Sequence, residues 1–300
     1  MCAAVLCFSI SSTIIRKAGI PGPTMAFWRM FVTSFSWWGI LWLTQRRIPS
    51  RADLRRAVVP GIAFGLNITC FFTAVTKTSI ANAEFIGALT PLVLVPAGAL
   101  LFHERVDLRA LSFGFVSLAG LVLVLFNAPP NGVASWEGNL IVTASMGLWA
   151  IYLLTSRRLR ETMDVQTIMA SIMPVATLAI LPIVLVRGEV TTVTARSVWF
   201  IGALVVLTGT LAHGFIVFAQ RTVPVGTIGI LQVAQPALAV GWAYLLLDQD
   251  LEPIQLLGMA LVIAGLVAVV TLTRRSARLE AAAPPAPFPP IEASAAERRG

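Results

Sequence analysis

Two charged side chains stand inside long apolar runs of this chain. Arg29 lies in the run from Pro23 to Leu43, and Glu84 in the run from Ala81 to Phe102. They are the acid–base candidates of the sequence. A charge at the centre of a bilayer costs about 2.5–3.5 kcal/mol on insertion scales, so such a residue faces the bundle interior or finds a partner. Three readings stand for the pair. Each side chain could snorkel to the outer headgroups. The two could form an ion pair or share a bound substrate group as an outer gate. Glu84 could also serve a proton relay.

Neutral polar and aromatic groups recur at helical spacing, where positions three or four apart are neighbours. Ser9 and Ser12 share one face of the first apolar run, and Trp149 and Tyr152 share a face with Ser145 and Ser156. His213 follows Gly209 on one face, and Asn67 lies in the middle of a run. Glu84, Gly87, Ala88, Pro91 and Gly98 form one face; Gly229, Gln232, Pro236 and Ala239 form another, with Gln235 beside it. Small residues let helix backbones approach and polar ones bond across helices. The plain reading is close packing with helix kinks at Pro91 and Pro236. The sharper one is a central substrate cavity, in which each proline frees the carbonyl one turn earlier as an extra acceptor. The aromatic planes would hold an apolar or aromatic substrate, or belong to the core. His213 is a hydrogen-bonded packing residue or a titrating one.

No metal or cofactor is expected. There is no phosphate-binding loop of the GxxxxGK type and no His or Cys pair at metal spacing. Cys2, Cys7 and Cys70 fall in apolar runs, and their odd number argues against a disulfide framework. No nucleophile converges with a base, so an intramembrane enzyme is not expected. Asn67-Ile68-Thr69 fits a glycosylation sequon but sits mid-run and is expected to be unmodified. The Gly61–Gly65 pair is read as packing.

The elements that must position these residues are set by the solvent. The chain is 57% hydrophobic and 12% charged, with mean hydropathy +0.84. A soluble domain carries about 25% charged residues, so lipid must cover this one. About 20 apolar residues span a bilayer as a helix. That ruler marks spans at Met1–Ala18, Pro23–Leu43, Val58–Thr76, Ala81–Phe102, Leu108–Phe126, Leu140–Ser156, Val165–Val186, Val198–Ala219, Val225–Leu247 and Ile254–Thr273. Arg16-Lys17 and a Gly-Pro turn follow the first run instead of a small-residue cleavage site, so it is expected to stay as a helix. Residues 274–300, rich in Ala and Pro, are expected to be a disordered tail. Trp37, Trp38, Trp42, Trp136 and Trp199 lie near helix ends, where an interfacial belt is the expectation.

Arg and Lys excess marks the cytoplasmic side. Arg46, Arg47, Arg51, Arg55, Arg56, Arg105, Arg109, Arg157, Arg158, Arg160, Arg221 and the arginines of the tail fall on one side. Only Arg16, Lys17, Lys77, Arg187 and Arg196 fall on the other. Both termini are therefore expected in the cytoplasm. The net charge of +8 is explained by topology, and nucleic acid is not needed as a partner.

The stretch from Thr90 to Val124 returns from Gln235 to Val269. A slide of about 145 positions aligns Pro91 with Pro236 and Ala119-Gly120-Leu121-Val122 with Ala264-Gly265-Leu266-Val267. The expected fold is all-α integral membrane, with ten transmembrane helices as two inverted five-helix repeats, 1–126 and 137–273. Each half holds an odd number of spans, so the halves are oppositely oriented, the plan of many secondary transporters.

With these motifs in place, the chain resembles the drug/metabolite transporter superfamily, in its EamA branch of ten-helix carriers. The resemblance runs from Met1 to Thr273. It rests on Pro23 with Arg29 in the second helix, and on Pro91 with Glu104 and Pro236 with Asp248 in the fourth and ninth. Gly258 and Gly265 in the tenth helix and Gly120 in the fifth complete it. Phe113, with Gly114 beside it, stands where the family has a paired glycine, and Gln249 where it has Glu. The resemblance implies a carrier that exports amino acids or other small metabolites across the inner membrane, with protons as the candidate coupling ion. Proton-coupled drug efflux is the alternative, weakened by a first helix without an acid. A non-transporting membrane scaffold is the remaining class. Nothing in the sequence fixes the oligomeric state.

Overall fold

The apolar runs become helices because lipid offers the backbone no hydrogen-bond partner other than itself. The computed structural model describes residues 1–77, 80–103, 108–126, 135–188, 190–247 and 253–282. Its elements are α1 Cys2–Ser9, α2 Ser11–Ala18, α3 Gly22–Gln45, α4 Arg51–Arg56, α5 Val58–Lys77, α6 Ile80–Ala88, α7 Pro91–Phe102 and α8 Leu108–Phe126. After them come α9 Trp136–Leu159, α10 Val165–Arg187, α11 Ala195–Leu204, a π-helical stretch Val205–Ala212, α12 His213–Ala219, α13 Val225–Gln232, α14 Ala234–Leu247 and α15 Pro253–Ala282. Among them α5, α9, α10 and the continuous stretch Ala195–Ala219 are long and apolar enough to cross a membrane as they stand. Large apolar side chains such as Leu100, Val186, Trp199 and Phe218 cover the outside.

Four of the expected spans are interrupted. The first breaks at Ile10, between α1 and α2. Ser9 Oγ donates to the Leu6 carbonyl (2.8 Å) and Ser11 Oγ to the Phe8 carbonyl (2.6 Å), competing with the helix's own bonds. The fourth breaks at Leu89–Thr90, between α6 and α7, and the ninth at Val233, between α13 and α14. Both breaks lie just before the prolines that were expected to kink them. The carbonyl freed by Pro91 is not spare, however. Gly87 O accepts the Thr90 hydroxyl (2.5 Å) and amide (3.1 Å). The eighth span carries the π-helical stretch, which the sequence did not announce.

Pairs of helices run antiparallel, as their contacts read in opposite order along the two chains. Between α3 and α10, Ser34 meets Thr177 and the Trp38 indole donates to Ala170 O (2.9 Å). At one end of that pair Trp28 donates to Val190 O (3.0 Å), and at the other Arg47 approaches Asp164 (3.7 Å). Between α8 and α15, Gly120 lies against Gly258 and Leu261, while Gly265 lies against Ser117 and Phe113. Between α7 and α13, Gly226 faces Val95 and Gly229 faces Leu94 and Pro91. A Cβ on Gly120 would sit 2.7 Å from the Gly258 carbonyl, so the close approach requires glycine there. Gly65 likewise abuts the Ala176 backbone, in keeping with Gly61 and Gly65 as packing residues. The main core joins α3, α5, α9, α10 and the π-helical stretch, through Met25, Met30, Phe64, Leu153, Ile172 and Val205.

Two expectations change and one element is added. Trp37 is no belt residue: it is 5% exposed and donates to Gly209 O (3.1 Å). Trp42, Trp136 and Trp199 are exposed. Helix α15 runs on to Ala282, past the expected end at Thr273. The added residues, RRSARLEAA, are mostly strong helix formers. A short α4 appears in the connection after α3, begun by a capping box of Ser50 and Asp53. Glu104, Asp248, Gln249 and residues 283–300 lie outside the described residues.

Candidate functional site

The helix breaks surround one cavity of about 120 Å³. Of the residues expected to line a site, Arg29, Asn67, Glu84, Trp149, His213, Gln232 and Gln235 do so, as do Pro91 and Pro236. They come from α3, α5, α6, α7, α9, α12, α13 and α14, and only the tertiary fold brings them together. Both faces contribute to the cavity lining, through Glu84, Gly87, Ala88 and Pro91 of the fourth run and Gly229, Gln232, Gln235 and Pro236 of the ninth. Gly229 packs α13 on α7, and the polar groups beside it face the cavity.

Arg29 is 1% exposed and does not extend to the surface. Its Nε and Nη2 have no hydrogen-bond partner among the described residues, and its guanidinium carbon stands 5.7 Å from the centre of the Phe72 ring. Glu84 is 4% exposed, and Ser12 Oγ donates to its Oε1 (2.5 Å). The expected direct ion pair is not formed. Among the described ion pairs none joins Arg29 to Glu84, although both line the same space.

Ser9, Ser12 and Tyr152 stand behind the wall. The break at Ile10 turns the first run so that Phe8 and Ser11 face the cavity. Ser9 instead accepts from the Trp242 indole (2.8 Å), and Ser12 reaches Glu84 from the side. Tyr152 is fully buried, stacked between Trp149 (5.1 Å) and Phe64 (4.7 Å). His213 is hemmed by Phe64 (4.5 Å), Phe8 (4.8 Å) and Trp149 (5.7 Å), all edge-on. Neither His213 ring nitrogen nor Tyr152 Oη has a hydrogen-bond partner among the described residues. The packing reading of a hydrogen-bonded His213 is therefore not met.

Two amide side chains hold the walls together. Asn67 Nδ2 donates to Ser145 O (2.8 Å) and Ser145 Oγ (2.9 Å), and Ser145 Oγ donates back to Asn67 O (3.1 Å). The Trp149 indole donates to Gln232 Oε1 (3.3 Å). Sequence reasoning missed Phe71, Phe72, Thr90 and Thr208 on the lining. The phenylalanines carry no signal in so apolar a chain. Thr208 sits in the π-helical stretch, and such stretches are frequent at functional sites.

Comparison with known proteins places this arrangement. Along 270 residues the chain is 27% identical to an "uncharacterized transporter" of Archaeoglobus fulgidus, covering 88% of this chain and 92% of that one. It is 24% identical to the threonine/homoserine exporter RhtA of Escherichia coli over 280 residues, 91% of this chain and 89% of that one. A solved crystal structure superposes with a TM-score of 0.76 at 19% identity, covering 91% of this chain and 96% of the other, which speaks to the fold alone. The EamA-like family matches twice, over residues 1–126 and 136–271. The protein is a multi-pass membrane transporter of a small-molecule substrate and not an enzyme. The chain belongs to the EamA-like transporter family.

Proposed function

We propose that the protein exports amino acids or closely related small metabolites across the inner membrane by alternating access. The fold in this reading has ten spans. They are α1 with α2; α3; α5; α6 with α7; α8; α9; α10; the stretch Ala195–Ala219; α13 with α14; and α15. Residues 1–126 and 137–273 form two inverted repeats. The antiparallel pairs support the inversion, because α3/α10, α7/α13 and α8/α15 each join one position of the first half to the same position of the second. Equivalent helices related by an axis in the membrane plane must run oppositely. Discontinuous helices meeting at the site fit the same plan.

The observation that carries the substrate reading is the cavity itself. Its free volume is small, about 120 Å³. That suits a small amino acid better than a bulky drug. Its walls are apolar and aromatic, with one cation, one anion and a few amides, the mixture expected of a small-molecule site. Export is supported by the relation to the threonine/homoserine exporter.

The test is counterflow. Purified protein in liposomes loaded with L-threonine or L-homoserine should accumulate the labelled amino acid, and empty liposomes should not. Absence of exchange for every amino acid in a panel of twenty would overturn the substrate class. Repeating the assay with and without an imposed pH gradient separates proton coupling from simple exchange.

A further inference from the structure

Arg29 is a buried cation with free donors, and the cavity holds its counter-charge at a distance. Guanidinium donors in a low-dielectric interior are costly to leave unmade. Here Nε and Nη2 of Arg29 are both unpartnered among the described residues, and the side chain lines the cavity. Phe72 covers one face of the group and offers no acceptor. Glu84 lines the same cavity, but its Oε1 is held by Ser12, which comes from α2. Ser12 thus ties the carboxylate to another helix, and no ion pair joins it to Arg29 among the described residues. The two opposite charges border the same open space.

We infer that this cavity reads both poles of a zwitterion, with the substrate's carboxylate on Arg29 and its ammonium group on Glu84. The inference rests on the amino-acid reading above and narrows it to an obligatory zwitterion. The site's own charges sum to zero. A net-neutral dipolar solute leaves that sum unchanged, whereas a lone anion or cation would strand a charge in the membrane interior. Arg29 is suited to the carboxylate because its planar fork matches two oxygens. Apolar and aromatic walls, including Phe71 and Trp149, then meet the rest of the solute.

The experiment uses the full chain in liposomes and competition against labelled L-threonine counterflow. The competitors are L-threonine, L-threoninamide, which lacks the carboxylate, and 2,3-dihydroxybutanoate, which lacks the ammonium group. A site built to bond a group rejects an analogue that lacks it, because its own buried groups are left unpaired. Both analogues are therefore expected to compete at least about tenfold more weakly than L-threonine. Arg29→Lys keeps the charge but loses the fork. It should weaken L-threonine and leave L-threoninamide unchanged. Arg29→Gln should remove the gap between those two while keeping the gap to 2,3-dihydroxybutanoate. Glu84→Gln should do the converse. If either analogue competes as well as L-threonine in the wild-type protein, or if both gaps survive in Arg29→Gln and Glu84→Gln, the inference fails while the amino-acid reading stands. If the wild-type protein exchanges no amino acid, the amino-acid reading fails first.

Discussion

At the scale of single residues, Arg29 and Glu84 line one cavity without a direct contact, and a double-variant cycle tests whether they are coupled across it. Removing one member of a buried pair leaves an uncompensated charge and typically costs about 3–5 kcal/mol, whereas removing both is milder. Thermal unfolding in detergent should show Arg29→Met and Glu84→Gln each destabilising. The double variant should be less destabilised than the two single effects added. Strict additivity would mean that the charges do not sense one another. Asn67 makes a second, separable prediction. Its truncation to Ala leaves the Ser145 carbonyl and hydroxyl short of a buried partner, which costs about 1–3 kcal/mol. Asn67→Ala should lower the unfolding midpoint without changing the preference for L-threonine over L-threoninamide. A changed preference with unchanged stability would move Asn67 from clasp to ligand.

At the scale of elements, close approach and end contacts decide the packing. On α15, an added Cβ at Gly265 would collide with Ser117 Oγ and lie 2.8 Å from the Phe113 carbonyl. On α9, a Cβ at Gly147 would meet nothing within 4 Å. Gly265→Ala should therefore destabilise by about 1–3 kcal/mol. Gly147→Ala should be neutral or stabilising by up to about 1 kcal/mol through helix propensity. Equal effects in chemical unfolding would show that α8 and α15 do not meet as closely as described.

The end of α3 makes a different kind of contact. Arg47 bonds Asp53 (3.2 Å), Thr167 Oγ1 (2.5 Å) and Gln45 Oε1 (2.9 Å), and approaches Asp164 (3.7 Å), which caps α10. This joins the two matched halves at one face of the bundle. Burial pushes the Asp53 and Asp164 carboxyls up, but hydrogen bonds outweigh it and hold both below the usual carboxylate value. For Asp53 these come from the Ser50 amide and hydroxyl and from Arg47. For Asp164 they come from the Thr167 amide and hydroxyl and from the Gln45 side chain. Depressed carboxyls stabilise the folded state above the usual value of 3.8 and lose that stabilisation as pH falls below it. The clasp is thus complete across the physiological range. Arg47→Ala should cost no more than about 1 kcal/mol, because the pair is partly exposed, and that cost should shrink as the pH is taken well below 3.8 and the carboxylates take up protons. A constant cost down to that pH would point to packing of the arginine stem instead.

At the scale of the whole molecule, the arginine distribution predicts the orientation. A reporter active only in the periplasm, fused after Arg278, should be silent, and one fused after Arg187 should be active. Strong activity after Arg278 would reverse the topology and with it the assignment of Arg47 and Asp164 to the cytoplasmic face.

The sequence by itself determined the solvent, the helical class and most helix limits. Composition admits only lipid, lipid admits only helices for runs of this length, and α8 spans Leu108–Phe126 as the apolar run alone required. It also picked out Arg29 and Glu84, since an ionisable group in an apolar run is rare enough to stand out. Only the tertiary structure decided which polar groups share one space. The breaks at Ile10 and Val233 and the π-helical stretch around Thr208 turn helix faces by less than a residue pattern can register. Those turns place Ser9 and Ser12 behind the wall while Phe8, Ser11 and Thr208 come to its surface, and on the unbroken α9 Tyr152 is stacked away between Trp149 and Phe64. Side-chain periodicity fixes a face only while the helix is regular. At this site, where the helices are not, packing between distant segments sets the geometry that holds Glu84 away from Arg29.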